Sequence, residues 1–226
     1  LGEGERAREF YQKAMEISER LARAEPGRAD YQRDLSVSYH KLGDLLVSLA
    51  VEEVHEVLPT HLPALIATLR EMCDAEAEQE FAEIEAGASW ERCVGIARRK
   101  TGSLFGFAAA CAGGLEPGRV EALRRAGYAL GTAYQLADDL LDACAAPLVS
   151  DKSLGGDAAT GKLTAASALP PGGMAPQAAI ESLLRDSEYD LVRWPQVQAA
   201  WHGYVRDTMA PLLAQFAGAA RMEAIA

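Results

Sequence analysis

Apolar residues recur three and four positions apart along almost the whole chain, in runs separated by proline and glycine. That pattern predicts an all-α protein. From residue 4 to 25, Ala7, Phe10, Tyr11, Ala14, Ile17 and Leu21 trace one helical face that stops before Pro26-Gly27, and a second helix is expected from about Ala29 to Leu49. After Pro59 and Pro63, a helix is expected from about Leu65 to Ala86. Ser89 stands where it can cap the next helix, Trp90 to Cys111, which Gly113-Gly114 would end. Pro117-Gly118 opens a long helix that reaches about Ala145. A loop rich in Gly, Asp and Lys follows from Pro147 to Lys162, and the remaining helices are broken at Pro170 to Gly173, at Pro195 and near Pro211.

The first two helices carry a fragmentary repeat. Ala7, Tyr11 and Ala14, with Leu35, Ser36 and Tyr39, resemble the small and aromatic positions of tetratricopeptide repeats, and Leu1-Gly2 and Leu42-Gly43 mark the period. The sequence changes register near Val51. Two regions are therefore expected: a helical-repeat-like hairpin over 1–50 and a second region over 51–226. A plain helical hairpin satisfies the same pattern.

A formal net charge of −11 argues against a nucleic-acid backbone or an anionic membrane surface as the main partner. No stretch approaches the roughly 20 apolar residues that a membrane span needs, and no signal-like leader opens the chain, so a cytoplasmic protein is expected. Cys73, Cys93, Cys111 and Cys144 lie far apart without metal-ligand spacing, and are expected as buried free thiols. The acidic stretch Asp74, Glu76, Glu78, Glu80, Glu83, Glu85 reads as a solvated helix face.

One turn resists that ordinary reading. Asp138 and Asp142 project from one helix face with Asp139 on its flank, and they stand near the helix C-terminus, where anions oppose the macrodipole. Like charges at this spacing repel. A divalent cation removes the cost, and a set of oxygen ligands suits Mg²⁺, which commonly shares its shell with phosphates. Lys100-Thr101 sits in an otherwise apolar helix, where a lysine needs an anionic partner. Lys152 and Lys162 belong to a loop holding Gly155, Gly156 and Gly161, in which the backbone can approach a ligand and the ammonium groups can neutralise phosphate oxygens.

The segments Arg99-Lys100-Thr101-Gly102-Ser103-Leu104-Phe105, Leu130 through Asp142 and Gly161-Lys162-Leu163-Thr164 resemble, in order and spacing, the trans-isoprenyl diphosphate synthases of the polyprenyl synthetase family. The resemblance covers about residue 55 to the C-terminus. It implies a helical bundle of the isoprenoid synthase type, with Mg²⁺ as cofactor and with allylic diphosphate and isopentenyl diphosphate as substrates. Asp138, Asp139 and Asp142 would form the second aspartate-rich, metal-binding motif. Lys100, Thr101 and Gln135 would hold the allylic substrate and its diphosphate, and Lys152 and Lys162 would close over the leaving group. The roles implied as catalytic fall to Asp138, Asp139, Lys100 and Lys152. Ala108, Ala109, Ala110, Leu130 and Ala133 are candidates for the lining of an apolar tunnel.

The family's N-terminal half carries a Gly-Gly-Lys segment, an Arg and a His for isopentenyl diphosphate, and a first Asp-Asp-x-x-Asp motif. This sequence holds none of them, and Asp138-Asp139 is its one adjacent aspartate pair. Three functions follow as alternatives: a synthase, or a portion of one, whose missing half lies upstream or on another subunit, acting as a homodimer or as a heteromer with a subunit that supplies the first motif; a non-catalytic or regulatory subunit that binds a partner protein through its helical hairpin; and a class I terpene cyclase, whose second metal motif is not visible here.

Overall fold

The computed structural model describes residues 3–81, 89–145, 165, 168 and 170–223, with side chains outside the description at 3–5, 81, 142–145, 173, 210 and 212–223. All regular structure among the described residues is helical. The chain divides into two compact units, Leu1–Leu65 and Ile66–Ala226.

The first unit is a hairpin of α1 (Glu3–Ala24) and α2 (Ala29–Val57), turned at Pro26-Gly27 and followed by a short 3₁₀ turn at Pro59–His61. The residues of α2 with reduced exposure as far as Leu49, namely Tyr31, Leu35, Ser38, Leu42, Leu45 and Leu49, alternate four and three apart, the spacing of a coiled-coil seam. Ser18 and Ser38 share a hydrogen bond at 3.2 Å across the pair, and Tyr39 donates to Glu19 at 2.5 Å. α2 runs unbroken past Leu49, because residues 50–57 contain neither proline nor glycine, and it stops at Leu58, whose helical conformation Pro59 disfavours.

α3 (Leu62–Phe81) leads into the second unit, which continues with α4 (Trp90–Ala97), a π-helical turn (Arg98–Gly102), α5 (Ser103–Cys111), α6 (Pro117–Ala145), α7 (Pro176–Tyr189) and α8 (Pro195–Glu223). Ser89 Oγ accepts from the Arg92 N–H at 3.2 Å and so caps α4. α5 ends at the glycine pair, with Gly114 at φ +66, a left-handed conformation that a side chain would strain. Pro211 lies inside α8 rather than at a break: the helix continues past it and forgoes the one bond that the missing N–H would make to the Asp207 carbonyl.

α6 is the central element. Ala122, Ala126, Leu130, Ala133, Ala137 and Leu140 are buried along it, and α4, the π-turn, α5, α7 and α8 all pack against it. Its contact with the π-turn and α5 is unusually close, because glycines line both sides. A Cβ on Gly131 would lie 2.8 Å from Gly102 Cα, and one on Gly102 would lie 2.8 Å from the Tyr128 carbonyl oxygen. The spacing Gly102-x-x-x-Gly106 on one side and Gly127-x-x-x-Gly131 on the other thus lets two backbones meet where side chains would hold them apart. Of the thiols expected to be buried, Cys93 is, whereas Cys73 is exposed on the polar side of α3 and Cys111 is half-buried.

Candidate functional site

The π-turn interrupts what the sequence pattern reads as one helix from Trp90 to Cys111. One extra residue per turn rotates the chain at Arg98–Gly102 and presents Lys100 and Thr101 toward the C-terminal part of α6. Thr101 Oγ1 donates to Gln135 Oε1 at 2.5 Å, Gln135 Nε2 donates to Asp139 Oδ1 at 2.8 Å, and Asp139 Oδ2 accepts from the Ala165 backbone N–H at 3.1 Å. Thr101, Gln135 and Asp139 are therefore joined in one continuous chain of hydrogen bonds. The Gln135 amide is fixed in orientation from both ends.

The two adjacent aspartates are in different situations. Desolvation raises the Asp139 carboxyl above the usual carboxylate range, against the opposing pull of the Gln135 and Ala165 donors and of Lys100. Asp138 is also raised by desolvation and lowered by Lys100, yet among the described residues it makes no hydrogen bond or ion pair. A half-buried carboxylate with uncommitted oxygens gains from a cation, and a hard oxygen donor fits Mg²⁺. No group of three metal-ligating side chains stands together among the described residues. Asp142 continues the same helix, but its side chain lies outside the described residues, and so do Lys152 and Lys162.

Lys100 finds its anionic partner on α3. Its ammonium lies 2.7 Å from Glu76 and donates to Gln79 Oε1 at 2.8 Å. Two residues on, Glu78 bridges Arg92 at 3.1 Å and also Arg99, whose guanidinium holds the Glu78 carboxyl below its usual range. Nearer the start of α3, Glu71 accepts from the Tyr128 hydroxyl at 2.8 Å, while Arg98 lies over the Tyr128 ring at 4.3 Å. The acidic stretch read as a solvated face is thus partly an ion-pair surface. Glu71 and Glu78, and likewise Arg92 and Arg99, stand seven residues apart, two matching stripes that the sequence does display.

Between α5, α6 and α8 an apolar groove of about 340 Å³ is lined by Leu104, Phe105, Ala108, Ala109, Leu130, Trp201 and Tyr204. Phe105 stacks on Tyr134 with ring centroids 5.9 Å apart, and Leu130, Tyr134 and Asp138 follow one another at four-residue intervals along α6. Leu130, the groove's lining residue from α6, thus lies about two turns before Asp138 on the same helix face. Ala108, Ala109 and Leu130 line it as expected, Ala110 is not among its walls, and Ala133 is wholly buried in the core. Trp201 and Tyr204 were missed because they come from α8, far away in sequence.

An all-helical unit built around a long, aspartate-bearing central helix is of the isoprenoid synthase type. The pattern of one family, described as Polyprenyl synthetase, matches residues 40–180, more than half of the chain, and the chain belongs to that family. A stretch of 103 residues is 31% identical to the nonaprenyl diphosphate synthase of Mycobacterium tuberculosis, over 44% of this chain and 31% of that protein. The chain thus matches about a third of the length of this curated relative. Diphosphate substrates and Mg²⁺ dependence are general in the family. The tetratricopeptide resemblance of residues 1–50 gains no support, and residues 40–50 fall inside the family match instead. No described helix is long and apolar enough to cross a membrane.

Proposed function

We propose that this chain belongs to an isoprenyl diphosphate synthase, in which an allylic diphosphate is condensed with isopentenyl diphosphate, and that it contributes the half of the site that holds the allylic diphosphate. In that reaction the allylic C–O bond breaks, its electron pair leaves with the diphosphate, and the double bond of isopentenyl diphosphate supplies the electrons of the new C–C bond before a proton is lost. Bound Mg²⁺ supplies positive charge to the departing diphosphate. Asp138 is the carboxylate with oxygens free to hold it, joined by Asp142 and, at the cost of its present donors, by Asp139.

The chain's own groups have distinct tasks in this reading. Lys100 neutralises phosphate oxygens as a point charge once it leaves Glu76. Thr101 and Gln135 align the π-turn with the aspartate helix and offer polar atoms to the substrate. Lys152 and Lys162 close over the leaving group. The apolar groove at Leu104, Phe105 and Leu130 receives the hydrocarbon, away from water. The helices of 1–50 are then an addition to the synthase-like region, which the family match carries back to residue 40 within α2.

The observation that carries the proposal is the uncommitted carboxylate of Asp138 beside the Thr101–Gln135–Asp139 hydrogen-bond chain, within the electrostatic reach of Lys100. A second reading, a non-catalytic subunit, draws on the Glu76–Lys100 ion pair, which occupies the lysine. The test incubates the full chain with Mg²⁺, geranyl or farnesyl diphosphate and radiolabelled isopentenyl diphosphate. Labelled longer product supports the synthase, whether the chain acts alone, as a homodimer or with an added partner subunit. Mg²⁺-dependent binding without product under all of these conditions supports the non-catalytic subunit. Diphosphate release from the allylic substrate alone, with no label incorporated, would indicate a terpene cyclase.

A further inference from the structure

We infer that the outer face of α1 is a docking surface for an amphipathic helix of another protein, one that carries acidic residues alongside its apolar stripe. α1 has two apolar stripes and the hairpin uses one of them. Ala7, Tyr11, Met15, Ser18 and Ala22 have reduced exposure and make the seam with α2. Phe10, Ala14, Ile17 and Leu21 form the other, at the alternating spacing of a coiled-coil seam, with Phe10 71%, Ile17 50% and Leu21 39% exposed. A solvent-facing helix rarely carries so regular a stripe without covering it.

Charge selects the occupant. Arg6, Lys13 and Arg20 recur every seven residues along one edge of the exposed stripe, in the flanking position that sets partner choice in coiled coils. Among the described residues none of the three makes a hydrogen bond or an ion pair, although Arg23 on the same helix pairs with Glu19 at 3.2 Å. A second copy of this chain fits poorly: antiparallel pairing would set the basic rows against each other, and parallel pairing would set Arg6 and Lys13 against Tyr11 and Ser18 and leave Arg20 only Glu25, which lies past the helix end and already pairs with Arg28. An anionic bilayer fits poorly too, since Glu9 and Glu16 form the next row around the helix and break up the positive face. A partner helix with glutamate or aspartate beside its apolar stripe satisfies both the stripe and the three cations.

The probes are two labelled helical peptides of about 28 residues, long enough to fold, with leucine at the seam positions and either glutamate or lysine at the flanks. Titrated by fluorescence anisotropy against the full chain, the glutamate peptide is expected to bind at least tenfold more tightly than the lysine peptide and to weaken as salt rises. Ile17→Asp, a change at an exposed position that is expected to leave circular dichroism unaltered, should abolish binding. The double change Lys13→Glu with Arg20→Glu should invert the preference, so a general loss of folding cannot mimic the result. Equal binding of both peptides, or no inversion, overturns the proposal. So does self-association by sedimentation that Ile17→Asp disperses, which gives the stripe to a second copy. Binding to phosphatidylserine vesicles that the same change abolishes gives it to a membrane and likewise overturns it.

Discussion

The Lys100 ammonium lies 2.7 Å from the Glu76 carboxylate, so the described cation that acts on the aspartate turn is also held by α3. Burial raises the Asp138 and Asp139 carboxyls, and the same ammonium opposes that rise through space. Lys100 thus stands between two banks of carboxylates that belong to different helices. A diphosphate arriving at the aspartate turn must compete with Glu76 for it.

Removing the competitor should therefore strengthen anion binding. Glu76 is about half exposed, with 53% side-chain exposure, so its pair with Lys100 contributes on the order of 0.5–1 kcal/mol. Glu76→Gln keeps the shape and a hydrogen-bond acceptor but loses the charge. Calorimetric titration with Mg²⁺ and inorganic diphosphate is expected to show affinity about 2–5-fold higher than that of the unaltered chain. Weaker binding would mean that Glu76 positions Lys100 rather than occupying it.

Gln135 carries the second prediction. Its amide accepts from Thr101 and donates to Asp139, and no other orientation satisfies both bonds. Gln135→Glu keeps the acceptor for Thr101 but sets a second carboxylate against Asp139, whose carboxyl burial already raises. The variant should lose about 1–3 kcal/mol at pH 7 and recover most of it on acidification, as one of the two acids takes up a proton. Urea melts at pH 7 and pH 5 read the difference. An equal loss at both pH values would contradict the shared-proton account.

How much of this was legible in the sequence depends on whether a feature is local. The cap at Ser89, the glycine stop after Cys111 and the proline starts of α6 and α8 are local choices that their own residues make, and the sequence pattern finds them. Asp138 and Asp139 stand out by their spacing, Lys100 as a lysine within an apolar helix, and Thr101 and Gln135 through the family resemblance alone, while the bonding of Thr101, Gln135 and Asp139 along one chain is a tertiary feature. The π-turn was not legible: a single inserted residue leaves the apolar period nearly intact, and only the register between Arg98 and Gly102 reveals it. Glu76 and Glu78 looked like solvated charges because their partners lie across a helix pairing that no local signal encodes. Pro211 misled for the opposite reason, since a strong local breaker is overridden where the helix on both sides persists.

Asp138 contributes to the pH dependence of the metal-free chain. Burial raises its folded pKa above the ordinary 3.8, so folding favours the protonated form. The stabilising contribution is present below pH 3.8 and is lost as pH rises through the higher folded value. Asp138→Asn should therefore raise the melting temperature at pH 7 by roughly 1–3 °C, allowing for solvent screening at a half-exposed group, with no gain at pH 3.5. Added Mg²⁺ should stabilise the unaltered chain and not the variant. Thermal melts at the two pH values, with and without Mg²⁺, test both halves.

The close approach of α5 to α6 gives the last prediction. A Cβ on Gly127 would lie 2.7 Å from both Gly106 Cα and the Phe105 carbonyl carbon, which are backbone atoms of a helix that cannot yield without moving as a whole. Gly127→Ala should cost about 2–3 kcal/mol by prising the two helices apart. Gly203, in the middle of α8, meets nothing within 4 Å of its added Cβ, so Gly203→Ala should instead gain about 0.5–1 kcal/mol from helix propensity. The opposite signs of two identical substitutions separate packing from propensity in one pair of urea melts. Because the π-turn rides on the same crossing, Gly127→Ala should also lengthen the Thr101–Gln135 hydrogen bond and lower Mg²⁺-dependent diphosphate binding. Gly203→Ala should leave that binding unchanged, and a fall in it would show that the effect is not specific to the glycine crossing.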